Sequence, residues 1–214
     1  LVVGALTGVG IWFVVGLLNP SAIGVLIRTF VWGWAIEWTF FLVEVPAAIL
    51  YANGWDRLSA KAHQTLGWIY FGAAWLSLVV INGIVTFMLT PGRWLETGSF
   101  WDGFLNPTYL PSLAMRTAIC LVNAGLFGGF VALRTPDPAA RARLVRADAR
   151  LGLAGLVVAF ASFFLYRAAI PAEFTDAIGT RLSIPARALA TFHVLSAGLA
   201  GGFVVLLLVP RAAR

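Results

Sequence analysis

Apolar residues run almost unbroken through six long stretches of the chain, and polar residues collect in the short segments between them. The stretches cover about 1–18, 23–51, 62–89, 111–133, 150–170 and 185–209. Each is close to or beyond the roughly 20 apolar residues that carry a helix across a bilayer core. Their ends carry helix-stopping signals: Asn19-Pro20, Thr90-Pro91-Gly92, Pro171 and Pro210. Pro111 and Pro185 suit the first turn of a helix, where a missing N–H costs nothing. The runs are uniformly apolar rather than alternating, and about twice the length of a barrel strand. The pattern therefore predicts an all-α polytopic transmembrane helix bundle of about six helices, a single transmembrane domain over 1–214.

Composition supports that picture. Hydrophobic residues make up 60% of the chain and charged residues 11%, against about 45–50% and about 25% in soluble domains. Disorder is excluded on the same grounds. One cysteine rules out a disulfide framework or a Cys-based cluster within the chain. The net charge of +6 is better read as topology than as nucleic-acid affinity, because the basic residues sit between apolar runs. Arg57, Lys61, Arg134, Arg141, Arg143, Arg146, Arg150, Arg211 and Arg214 fall on one side of an alternating six-helix path. Arg28, Arg93, Arg116, Arg167, Arg181 and Arg187 fall on the other, together with Glu96, Asp102, Glu173 and Asp176. The positive-inside rule then places segments 52–61 and 134–150 and the C-terminus in the cytoplasm. Trp94 and Trp101 would mark the outer interface, and Trp55 and Trp68 the inner one. Stretch 1–18 has no basic front and ends in Asn-Pro, so it reads as a span and not as a cleavable leader. The Ala/Arg-rich segment near 139–150 reads as a solvated turn that continues into the fifth helix.

Ionisable groups inside the bilayer cost at least about 2.5–3.5 kcal/mol each and need a partner or a task. Glu37 and Glu44 are seven residues apart in the second stretch. Two helical turns take 7.2 residues, so both project from one face. Gly33 and Thr39 nearby would let other groups approach. That face could line a haem pocket or a proton path, or hold a structural ion pair with an arginine. His193 lies eight residues past Pro185, roughly 12 Å into the last helix. A neutral imidazole there is a candidate axial ligand for haem iron, the one metal-ligand candidate of the chain. The bland alternative is a histidine hydrogen-bonded to a neighbouring helix. His63, at the start of the third stretch, reads as a cap or an interfacial residue. Arg116 and Arg167, near the outer ends of the fourth and fifth helices, can snorkel, pair with Glu37 or clasp a haem propionate. Met115 is a possible soft ligand, and Cys120 reads as a small apolar filler. No His pair at zinc spacing, no phosphate-binding Gly-rich loop and no c-type haem attachment motif occurs.

Several segments, in order, carry a family likeness. They are Gly4-Ala5-Leu6-Thr7-Gly8, Ala35-Ile36-Glu37 with Phe40-Phe41-Leu42 and Glu44, Gly54-Trp55-Asp56-Arg57-Leu58, Ala62-His63-Gln64 with Trp68, and Leu105-Asn106-Pro107. Together they resemble the second to fifth helices of the cytochrome bd quinol oxidase subunit I family, clearly over about 4–134, with further helices at 150–170 and 185–209. The Gly-Trp-Asp-Arg stretch is the most specific of these, and the family keeps it on the cytoplasmic side, as the charge pattern does here. The sequence also departs from the family. The helix that carries a histidine haem ligand in the family precedes the matching stretch. A second family histidine falls within Ala114-Met115-Arg116-Thr117, where Arg116 stands in its place. The long external quinol-binding loop is reduced to about 171–184, and the glutamates are seven apart where the family has eight.

The resemblance implies a bd-like subunit of a bacterial respiratory electron-transfer complex in the inner membrane. It would be an oxidoreductase subunit and not a complete oxidase alone. Its partners would be other membrane subunits and a c-type cytochrome as electron donor, with quinol and nucleic acid not expected. Haem b is the implied cofactor, with His193, Glu44, Glu37, Arg116, Arg167 and Met115 as candidate contacts. The alternatives are a haem-free membrane anchor for cytochrome subunits and a proton-conducting subunit built on Glu37 and Glu44.

Overall fold

The computed structural model describes residues 2–172, 174–176 and 183–208, and among them every regular element is a helix. Glu173, Arg181, Arg211 and Arg214, half of the 171–184 loop and the Pro210 stop lie outside the described residues. Five helices are long and apolar enough to cross a bilayer, six if the bent pair at the start counts as one span. The protein is an all-α, multi-pass membrane protein. Contacts between helices divide the chain into two compact units, Leu1–Asn106 and Pro107–Arg214.

The first unit holds α1 (Val2–Leu18), α2 (Pro20–Thr29), α3 (Val31–Asn53), α4 (Ala60–Phe87) and the short α5 (Trp94–Thr97) and α6 (Phe100–Phe104). Asn19-Pro20 ends α1 as expected: Asn19 Oδ1 accepts from Ala22 N at 3.1 Å and Pro20 opens α2. The chain turns by 116° there. The stretch 23–51, expected as one helix, is broken at Phe30, whose backbone (φ −114°, ψ 28°) leaves the helical region. The cause is packing. Phe30 is fully buried against Phe87 and Phe100, with ring centroids 4.8 and 5.5 Å away. No proline or glycine marks this break, so the apolar pattern hides it.

Helix α3 packs along α4. At Gly33 a β-carbon would stand 3.3 Å from Ile84 Cδ1, so this glycine admits α4 and leaves no room for a ligand. The Gly-Trp-Asp-Arg turn closes with Leu58 N donating to Gly54 O at 2.9 Å. A β-carbon at Gly54 would come within 2.7 Å of the Leu50 carbonyl. His63 acts as a cap, but of the preceding helix: its Nε2 donates to Tyr51 O at 2.9 Å, and its ring stacks on Tyr51 at 4.2 Å. That bond serves one of the carbonyls a helix end leaves without a partner. The link from α4 to α6 is held by a buried polar knot. Asn106 Nδ2 donates to Thr86 Oγ1 and to Gly103 O, both at 2.9 Å, and Thr90 Oγ1 donates to Asn106 Oδ1 at 3.0 Å.

The second unit holds α7 (Tyr109–Ala132), α8 (Pro138–Ala169) and α9 (Ser183–Leu208). Pro111 lies in the first turn of α7, as expected. Helix α8 starts twelve residues earlier than the expected 150, because Asp137 caps Ala139 N and Ala140 N and Pro138 takes the first position. The Ala/Arg-rich segment is therefore helical. On α8 the buried positions Ala142, Val145, Ala149, Gly152, Leu156 and Ala159 alternate in steps of three and four. That is the seam of a left-handed helix pair. Facing it, α7 buries Ala118, Val122, Gly125 and Ala132. The backbones meet closely. A β-carbon at Gly125 would stand 2.5 Å from Asp148 O and 2.6 Å from Gly152 N, and one at Gly155 would stand 2.8 Å from Ala118 O. Phe203 of α9 sets its ring directly over Gly152. Small residues that let backbones approach are the usual means of helix association in lipid, where apolar surface alone gives no drive. Cys120 is exposed on α7, so it fills no internal space.

Candidate functional site

His193 sits in α9 one turn after Leu189 and faces α8. Its ring is boxed by Phe163, Phe192 and Phe160, at centroid distances of 5.4, 5.7 and 6.2 Å. Its Nδ1 lies 2.7 Å from the Leu189 carbonyl oxygen. A carbonyl only accepts, so Nδ1 carries a hydrogen, and in the neutral ring Nε2 then carries the lone pair. Among the described residues nothing hydrogen-bonds Nε2. A backbone carbonyl fixing one ring nitrogen is the usual way a ligating histidine is oriented and its tautomer set.

Between α7, α8 and α9 lies an open apolar cleft of about 500 Å³, which His193 itself does not line but its neighbours Phe163, Leu189 and Phe192 do. Phe163 and Phe192 line it, with Met115, Tyr166, Arg167 and Leu189 among the other walls. Arg167 occupies the last turn of α8, where a cation complements the helix dipole. Arg116 is half-buried, donates from Nε to Ser112 Oγ at 3.2 Å and acts electrostatically on Tyr166. The fold thus gathers His193, Met115, Arg167 and Arg116 in one unit. It supplies one neutral nitrogen donor, one thioether, an apolar wall and two guanidinium groups. Among the described residues no cluster of three or more His, Cys, Asp or Glu side chains could hold a metal ion on its own.

The other two candidates belong to the first unit. Glu37 and Glu44 do share a face of α3, both half-buried beside α4. Ser77 of α4 donates to Glu37 Oε1 at 3.2 Å. Thr39, expected to make room for an approaching group, instead donates back to Ala35 O at 3.0 Å on its own helix. Two carboxylates thus lie along one half-buried face, and one of them is paired with a hydroxyl of α4.

Sequence reasoning missed Ser77, Tyr166 and the phenylalanine box. No local signal marks Ser77, because its task depends on the α3–α4 register. The box was open to a periodicity count: Phe160 and Phe163 on α8, and Phe192 beside His193 on α9. No family model, no curated protein and no solved structure matches the chain.

Proposed function

We propose that this protein is a bd-oxidase-like membrane subunit of a bacterial respiratory electron-transfer complex and that its second unit carries haem b. The observation that supports this most is His193, with Nδ1 tied to Leu189 O and Nε2 left as a lone-pair donor beside an apolar cavity. In this reading His193 would hold the haem iron, Arg167 and Arg116 would hold the propionates, and Met115 would line the pocket or hold the iron more weakly. The haem would supply one-electron transfer. The protein supplies the donor nitrogen, a dry wall and cations that offset the propionate charge. Electrons come from a partner c-type cytochrome, consistent with the short segment where the resembling family binds quinol. Glu37 and Glu44 form the proton path of the first unit. The arginine-rich side, with the Gly-Trp-Asp-Arg turn, faces the cytoplasm.

The test is a pyridine haemochrome and a reduced-minus-oxidised spectrum of the purified complex, for the wild type and for His193→Phe. Phenylalanine keeps the aromatic packing and removes the donor. The expected result is haem b in the wild type and its loss, with the complex still assembled, in the variant. A wild-type complex without haem b would leave the protein as a haem-free anchor for its cytochrome partners.

A further inference from the structure

At the opposite end of the second unit, the first turns of α8 carry charge that the fold leaves unanswered. Arg141, Arg143, Arg146 and Arg150 lie on these turns, and Arg134 precedes them. Only two acids are near in sequence, one engaged as a helix cap and the other packed against α7. Asp137 accepts from Ala139 N and Ala140 N at 3.0 and 3.1 Å. Asp148 lies against α7, where a β-carbon at Gly128 would stand 2.6 Å from its Oδ1. Among the described residues no ion pair engages the five arginines, and Arg141 Nε is buried with no hydrogen-bond partner. Helix α8 has 32 residues, whereas about 20 cross a bilayer core. Roughly three turns therefore reach into the headgroup layer.

An apolar groove opens at the same place. It has a volume of about 130 Å³ and is lined by Leu126, Gly129, Phe130 and Leu133 of α7 and by Phe203 and Leu206 of α9, with Val145 of α8 as part of its floor. A β-carbon at Gly129 would meet nothing within 4 Å, so this wall is open. Phe130 and Leu133 are 60% and 53% exposed. Arg134 directly follows Leu133, and Arg141 and Arg146 flank Val145 along the helix. Two residues of the apolar slot, Leu133 and Val145, are thus sequence neighbours of these arginines.

We propose that this groove is a binding site for one anionic phospholipid. An acyl chain lies along Gly129, Phe130 and Leu206, and the phosphate is held by Arg141, Arg146 and Arg134. The match is one of charge and polarity together. Guanidinium groups bind phosphate oxygens in pairs, and basic clusters beside a membrane helix favour anionic headgroups. The groove accounts for the tail, which an acidic protein segment would not use. The chain's own residues 209–214 carry two arginines and no acid, so they are no substitute for the headgroup.

Native mass spectrometry of the purified, delipidated full-length protein tests this. The protein is titrated with phosphatidylglycerol or with phosphatidylcholine of the same chains, with and without excess inorganic phosphate. The expected result is one retained phosphatidylglycerol, bound about tenfold more tightly than phosphatidylcholine. The double variant Arg141→Gln/Arg146→Gln should lose that preference while still binding phosphatidylcholine. Gly129→Leu, which fills the slot and leaves the arginines in place, should weaken both lipids. Excess phosphate should fail to displace the lipid. Equal affinity for the two lipids in the wild type would overturn the proposal, as would unchanged phosphatidylglycerol binding in both variants. Full displacement by inorganic phosphate would also overturn it, because it would leave an anion site with no role for the groove.

Discussion

In the first unit, α4 and the segment after it are joined by large rings and by a polar knot. Phe30, Phe87, Phe100 and Phe104 interlock, and Asn106 binds Thr86, Thr90 and the Gly103 carbonyl. In the second unit, α7 and α8 come closest where glycine faces glycine and main chain lies against main chain. Side-chain contacts can yield by turning a ring or moving a hydroxyl. Main-chain contacts cannot yield without moving a whole helix. The same bilayer therefore holds two kinds of helix contact, one adjustable and one rigid. The candidate ligand His193 belongs to the unit with the rigid contact, and the carboxylates Glu37 and Glu44 to the other.

Adding one methyl group breaks the comparison most sharply at Gly125. Its β-carbon has Asp148 O and the Gly152 backbone within 2.6 Å, and neither can step aside. Gly125→Ala should cost about 3 kcal/mol, the upper end for overpacking, seen as a large fall in Tm in detergent. A variant as stable as the parent would mean that α7 and α8 part freely. In the first unit Asn106→Ala removes two donors and one acceptor from a buried knot. It should cost about 2 kcal/mol, read in the same assay, and retained stability would show the knot to be ornamental. Gly83→Ala should have the smallest effect. The nearest atoms to its β-carbon are those of the Phe104 ring, Cε2 at 2.5 Å. The ring can turn, and alanine gains about 1 kcal/mol of helix propensity over glycine. The net change should stay within about 1 kcal/mol, and a loss as large as that at Gly125 would erase the distinction between the two contacts.

Much of the fold was legible because apolar runs, prolines and caps act locally. The ends of α1 and α7 follow from Asn19-Pro20 and Pro111, and the shared face of Glu37 and Glu44 follows from helical period alone. The start of α8 was written in Asp137-Pro138 and was overlooked because the arginines after it read as a turn. The break at Phe30 was not legible, since it depends on rings some sixty to seventy residues away in the chain. The small-residue seam of α8 was present as steps of three and four, but uniform hydrophobicity masks a stripe of alanine and glycine. At the candidate site the residue types were readable, whereas the tautomer of His193 was not. It follows from a 2.7 Å contact with a carbonyl, which no residue name reveals.

The close approach at Gly125, Gly152 and Gly155 also says where the chain stores its information. Over most of the lipid-facing surface one apolar letter serves as well as another, and drift there is silent. At Gly125 and Gly155 the alphabet has shrunk to a single letter, set by the main chain of the neighbouring helix, while at Gly152 the neighbour is the Phe203 ring. A lineage of this protein could change most of its lipid-facing leucines and valines and keep its shape. It could not spare Gly125 and Gly155.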